Sequence, residues 1–231
     1  MIPLKDNIPS SRTPVITIGL ILINVLVYLN QLTLPPRAAV RFVYLYGLIP
    51  VEITGGELLV QHPVPLYGTI LTSMFVHGGL FHLAGNMLYL WIFGDNVEDR
   101  LGRFRFLLFY LLSGLAAAAA QILSDPHSQI PMVGASGAIS GVLGAYLLLY
   151  PHARVVTLVF FGWFVRVIEI RALIVLGFWI VVQLASGLLT WGAQVGGVAW
   201  FADIGGFVAG LVMVIPLRRR AKGPDWAGRL S

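Results

Sequence analysis

The chain of 231 residues contains no cysteine. Disulfide frameworks and thiolate metal sites are therefore excluded, and the redox compartment leaves no mark on the sequence. Charge is scarce as well. Asp, Glu, Lys and Arg make up 11% of the chain, against about a quarter in a soluble globular domain. No internal repeat is evident, which argues against a transporter built from inverted halves. Between Arg171 and Arg218 a single charged residue occurs, Asp203.

What is present is apolar surface. Hydrophobic residues account for 58% of the chain, and the mean hydropathy is +0.85. Crossing ~30 Å of hydrocarbon takes about 20 apolar residues as a helix. Six stretches approach that length: 15–33, 72–93, 104–124, 134–151, 171–190 and 198–217. They predict an all-α membrane protein with six spans. The stretch 155–165, "VVTLVFFGWFV", is about half the needed length and is expected to be an interfacial or re-entrant piece. Lys5 and Arg12 precede the first stretch, whose apolar run is long for a signal peptide and is followed by no suitable cleavage site. It is expected to be an uncleaved anchor.

Basic residues orient the spans. With the N-terminus inside, 13 Lys and Arg fall in cytoplasmic segments or span ends, and 2, Arg37 and Arg41, fall outside. This split predicts N-in and C-in. The chain then divides into a cytoplasmic tail at 1–14, a six-span domain at 15–217 and a basic cytoplasmic tail at 218–231. Loops at 34–71, 125–133 and 191–197 lie outside. The first is long enough to carry a function or a fold of its own. The net charge of +5 is spread between apolar runs, so it reports orientation and not nucleic-acid binding. The expected surroundings are a lipid bilayer, in a plasma membrane of prokaryotic type.

Polar groups inside spans must find partners away from lipid. In "HGGLFHLAGN", His82 and Asn86 are four residues apart and share one helix face. His77 lies five residues before His82. In "GASGAISGVLGAY", Ser136, Ser140 and Gly144 form one small-residue stripe, and Gly137, Gly141 and Ala145 form the next. In the last stretch Asp203, Gly206 and Gly210 share a face. Small residues at four-residue spacing let membrane helices approach closely, so the fourth and sixth spans are expected to pack tightly. Ser136 alone is explained as a packing residue, and His82 with Asn86 as interhelical hydrogen-bond partners. Asp203 is harder to explain, because a carboxylate at a span centre costs about 2.5–3.5 kcal/mol. Asn and His side chains can donate to a developing oxyanion.

Together these residues resemble the rhomboid intramembrane serine proteases, over about residues 15–217. "GASG" at 134–137 matches the family's G-x-S-G, "HGGLFHLAGN" its H-x(4)-H-x(3)-N, and "GDNVEDRLGRFRFLLFYLLSG" the connection into the third span. The resemblance implies a Ser136 nucleophile and an oxyanion hole of His82, Asn86 and the Ser136 backbone N–H. His77, Gly134, Gly137, Gly206 and Gly210 take supporting positions. It also implies substrates that are transmembrane helices of single-span proteins, cut without metal or cofactor. The family's last element, A-H-x-x-G-x-x-x-G, has both glycines here as Gly206 and Gly210, but Asp203 stands at the histidine that serves as general base.

Asp replaces that histidine poorly. Its arm is shorter, and a displacement of about 1 Å can cost about 100-fold in rate. Its ordinary pKa is ~3.9, against ~6.5 for His. The expectation is a rhomboid-type serine endopeptidase with impaired hydrolysis. The alternative is a proteolytically inactive protein of the same fold that binds transmembrane helices.

Overall fold

The computed structural model describes residues 1–161, 164–189 and 199–218. The expected outer loop at 191–197 and nearly all of the C-terminal tail lie outside the described residues. The chain opens with strand β1 (Ile2–Asp6), inside the segment expected to be a tail, and continues into helix α1 (Val15–Thr33). Helices α2 (Pro36–Tyr46) and α3 (Pro50–Ile53) follow, then short turns around α4 (Thr69–Thr72). The long helices α5 (Leu80–Leu101) and α6 (Arg103–Ser124) come next, followed by α7 (Ser136–Leu149). Strands β2 (Arg154–Phe161) and β3 (Phe164–Arg171) lead into α8 (Ala172–Leu189), and α9 (Trp200–Arg218) ends the described chain.

Helices α1, α6, α8 and α9 are each long and apolar enough to cross a membrane. Helix α5 is as long, but His82, Asn86, Asp95 and Asn96 dilute its apolar character. Helix α7 has 14 residues, about 21 Å at 1.5 Å per residue. It sits in the middle of the bundle against α5, α6 and α9, with everything from Gly137 to Tyr146 buried. A short helix is tolerated at membrane depth when protein surrounds it.

The helix expected to begin at 72 begins at Leu80. Residues Ser73–Phe75 form a tight turn, and the Gly78–Gly79 pair keeps the chain extended up to the helix. Helix α5 runs on past the expected end because its terminal charges have partners. Glu98 accepts from the backbone N–H groups of Ile16 and Thr17 at 3.0 and 2.7 Å and from the Thr17 hydroxyl at 2.8 Å. Asp99 accepts from the Ser11 backbone at 2.9 Å and from its hydroxyl. Glu98 thus satisfies the open N-terminus of α1, where donors and dipole both favour negative charge, while Asp99 holds the segment that leads into it. Gly102, at φ +82°, then turns the chain into α6, a conformation that favours glycine.

The stretch 155–165, expected to be an interfacial or re-entrant piece, takes the form of strand. Its described residues belong to an antiparallel strand pair, β2 with β3, and β1 adds to the other side of β2 to give the order β1-β2-β3. β-branched and aromatic residues dominate "RVVTLVFF" and "FVRVIEIR", a composition that suits paired strands. Asp6 ties this sheet to the bundle. Its carboxylate accepts from Asn96 at 2.8 Å and from the Tyr146 hydroxyl at 2.5 Å.

The long segment 34–71 has structure of its own. Leu48 pairs with Met132 as an isolated bridge. Glu52, 2% exposed, accepts from the N–H groups of Leu59 and Val60 and pairs with His62 at 2.6 Å. His62 also reaches the Leu45 carbonyl at 2.8 Å, so one buried pair folds this segment on itself.

Candidate active site

Helices α7 and α9 approach until backbone meets backbone. A Cβ on Gly206 would collide with the Gly137 carbonyl, one on Gly210 with the Gly141 carbonyl, and one on Gly144 with the Phe207 carbonyl. The two glycine stripes seen in the sequence therefore face each other. This contact sets Ser136, at the first turn of α7, and Asp203, in the first turn of α9, side by side.

Ser136 is half-buried and Asp203 is 2% exposed. The carboxylate is surrounded by donors. Gln183 of α8 donates its side-chain amide to Oδ2, the Ser140 hydroxyl oxygen lies 3.4 Å from Oδ1, and the Ser136 side chain is a further hydrogen-bonding neighbour. The Ser140 proton goes to the Ser136 carbonyl at 2.6 Å. Gln183 was not singled out from the sequence, although it is the lone amide in the apolar stretch of α8. Ser140 was seen only as a packing residue.

On the other side of Ser136 stand the residues from α5 and the segment before it. Asn86 donates through Nδ2 to His77 Nε2 at 3.0 Å, which makes Nε2 the acceptor and leaves the His77 proton on Nδ1. The second Asn86 N–H remains for another acceptor. The rings of His77 and His82 meet edge to face at 5.1 Å. His77 lies before α5 and not on it, and is 1% exposed. Gln31 of α1 holds its backbone from both sides, donating to the His77 carbonyl at 3.0 Å and accepting from its N–H at 3.3 Å. Gln31 was also missed, and a polar residue late in an apolar span was its only signal.

Gly134 links the two halves. Its φ is +123°, and an added Cβ would lie 2.7 Å from His82 Cε1 and Nε2 and 3.6 Å from Asn86 Nδ2. Any side chain there would displace the imidazole. Gly134 also donates to the Ser73 carbonyl at 2.9 Å, which fixes the approach to the α7 N-terminus. The backbone N–H groups of that terminus carry partial positive charge.

A cavity of about 630 Å³ joins these groups. Its walls include His82, Asn86, Ser136, Trp179, Gln183 and Asp203. All the expected catalytic and oxyanion residues therefore border one space. Among the described residues no cluster of three or more His, Asp or Glu could hold a metal ion. Chemically, the cavity offers a hydroxyl at a helix N-terminus, amide and imidazole donors on one flank, and a hydrogen-bonded carboxylate on the other.

Comparison with known proteins adds to this geometry. A family model described as Rhomboid domain matches residues 66–220. The chain is 36% identical over 145 residues to RHOMBOID-like protein 6, mitochondrial, of Arabidopsis thaliana, covering 62% of this chain and 41% of that protein. It is 36% identical over 96 residues to Rhomboid protein 1, mitochondrial, of Saccharomyces cerevisiae, covering 40% of this chain and 28% of that protein. It is 46% identical over 78 residues to Rhomboid protease GluP of Bacillus subtilis, covering 34% of this chain and 15% of that protein. The matches thus span less than half the length of these relatives. Because the relatives include mitochondrial proteins of a yeast and a plant, the likeness gives no preference for a prokaryotic plasma membrane.

Proposed function

This chain belongs to the rhomboid family, and from that premise we propose that it is a rhomboid-type intramembrane serine endopeptidase whose hydrolysis is impaired at Asp203. Its substrates are the transmembrane helices of single-span proteins. Ser136 is the nucleophile. His82, Asn86 and the Ser136 backbone N–H receive the oxyanion. Asp203 occupies the place of the general base.

The observation that carries this proposal is the engagement of the Asp203 carboxylate. Gln183 donates to Oδ2, while the Ser140 hydroxyl near Oδ1 gives its proton to the Ser136 carbonyl. The Gln183 amide fixes the orientation of the carboxylate, so it is not free to swing and follow the serine proton. The carboxylate is also short-armed, and proton transfer in the transition state demands close alignment. What remains is positioning together with oxyanion stabilisation, which sustains a residual rate well below that of a complete dyad. A silent binder of transmembrane helices is the alternative, and the same engagement of Asp203 favours it.

The proposed six-span topology has support of its own. Helix α1 is long and apolar enough to cross a membrane, and Glu98 near the end of α5 caps its start. The chain must therefore return between 34 and 98, and α5 is the helix available for it. Helix α6 is long and apolar enough to cross again, and the pairing of β2 with β1 then calls for a further return between 125 and 154, for which α7 is available. With α8 and α9 this supports a reading of six spans over 15–217, N-in and C-in, with the side rich in Lys and Arg as the cytoplasm.

A fluorophosphonate probe tests the site. Weak or absent labelling of Ser136 in the chain as it stands, with strong labelling in Asp203→His, is the expected result. Labelling of equal strength in both would show that Asp203 is not the defect.

A further inference from the structure

Strand β2 is the middle strand of the sheet, and one row of its side chains is sealed. Val155 and Thr157 have no exposed surface, and Val159 is 8% exposed. Val155 lies in the same core cluster as Ala172 and Leu176 at the start of α8. That row therefore faces the helical bundle. Residues directly opposite one another in an antiparallel pair project to the same face. Opposite Val155, Thr157 and Val159 stand Ile170, Ile168 and Arg166 of β3. Phe164, two residues before Arg166, shares their face by alternation.

Ile170 still packs against the core. Farther along β3 none of the described residues covers this row. Ile168 is 39% exposed, Phe164 is 73% exposed, and Arg166 is exposed, with no ion-pair partner among the described residues. The row points the same way as the sealed row of β2 but lies past the edge of the bundle. Beside a membrane-embedded bundle, that direction is occupied by lipid. The opposite row is also uncovered, but it faces away from the bundle and carries Glu169 and Arg171 at its base. Exposure alone does not separate the two rows; their direction does.

We infer that β3 is a membrane-interface strand. Phe164 and Ile168 seat among the headgroups and upper acyl chains, and Arg166 pairs with the phosphate of an anionic lipid. An aromatic ring and an aliphatic chain flanking one cation suit that zone, where apolar bodies sink and the charged tip stays at headgroup level. The anionic leaflet attracts such a cation. Because Arg171 ends β3 and Ala172 begins α8 without a linker, lipid that holds β3 also sets the depth of α8 and hence of Gln183. The inference rests on the membrane-embedded fold and is independent of catalysis at Ser136.

The absence of cysteine makes the test direct. Single variants Phe164→Cys, Ile168→Cys, Val165→Cys and Val167→Cys, each with a nitroxide label, are placed in vesicles of phosphatidylcholine and phosphatidylglycerol. Labels at 164 and 168 are expected to collide with oxygen and to be shielded from a water-soluble nickel chelate, and labels at 165 and 167 to show the reverse. Equal access of water to all four would overturn the inference, as would an inverted pattern. Shielding of all four from both agents would mean that protein covers the strand, and would overturn it too. Adding Arg166→Glu is expected to move the label at 168 toward water in vesicles containing phosphatidylglycerol but not in phosphatidylcholine alone. The same shift in both lipids, or none in either, would rule out the phosphate contact.

Discussion

The side-chain amide of Gln183 on α8 donates to the carboxylate of Asp203 on α9. This contact joins a helix that has few other buried polar groups to the centre of the candidate site. It turns a carboxylate that looks misplaced in the sequence into a satisfied one.

Removing the amide should be costly. Gln183→Leu leaves Asp203 Oδ2 without its donor, and losing a hydrogen bond to a buried charged group costs about 1.5–3 kcal/mol. Asp203→Leu added to Gln183→Leu removes both partners, so the double variant should lose clearly less than the sum of the two single losses. Unfolding of all four proteins in one detergent measures the cycle. Additive losses would show that the two side chains are not coupled.

The α7–α9 contact makes a second prediction. Gly206→Ala and Gly210→Ala drive a methyl group into the facing backbone carbonyls of Gly137 and Gly141. Neither backbone can move aside as a side chain could, so each should lower stability by about 1–3 kcal/mol or more. Gly19→Ala in α1 meets nothing within 4 Å and should raise stability by about 0.5–1 kcal/mol through helix propensity. Thermal unfolding checks all three, and a neutral Gly206→Ala would contradict the close approach.

Glu98 predicts a local effect. Glu98→Ala frees the N–H groups of Ile16 and Thr17 at the start of α1. The loss should be about 1–2 kcal/mol, the range of a lost N-cap, and should concentrate there. Amide hydrogen exchange of the first turn of α1 should speed up while α9 stays unchanged.

The sheet anchor depends on pH. Burial raises the Asp6 carboxyl from 3.8 to about 6, although the hydrogen bond from Tyr146 pulls it down. Its folded pKa lies above its unfolded value, so the folded state binds the proton more tightly. The stability this contributes is fully present below about pH 3.8 and is lost as the pH rises through about 6. Lowering the pH from 7 to 5 should therefore tighten the attachment of β1. Asp6→Asn should flatten that dependence, read as exchange protection of residues 2–6 across the range. An unchanged slope would assign the dependence to another group.

Much of this was legible in the sequence because membrane helices are written in long runs. The six stretches match α1 and α5–α9, and the glycine spacing foretold which two helices would touch. Helix ends were less visible. The start of α5 is delayed by the Gly78–Gly79 pair, and its end is extended by Glu98 and Asp99, whose partners are more than 80 residues away. The pairing of β2 with β3 was hidden because a short apolar run does not reveal whether it is strand or helix, and its β1 partner lies at the other end of the chain. In the site, Ser136, His82, Asn86 and Asp203 stood out through motif and polarity. Gln183 and Gln31 did not, because a single amide in an apolar run reveals no partner until the helices are packed.

The most direct test of the account is cleavage of a single-span membrane protein by the chain as it stands, by Asp203→His, and by Asp203→His with Ser136→Ala, each reconstituted in the same lipid. The account predicts slow or undetectable cleavage in the first, a gain of about 100-fold or more in the second, the scale of a restored general base, and loss of that gain in the third. A folded Asp203→His protein that cleaves no faster would contradict it.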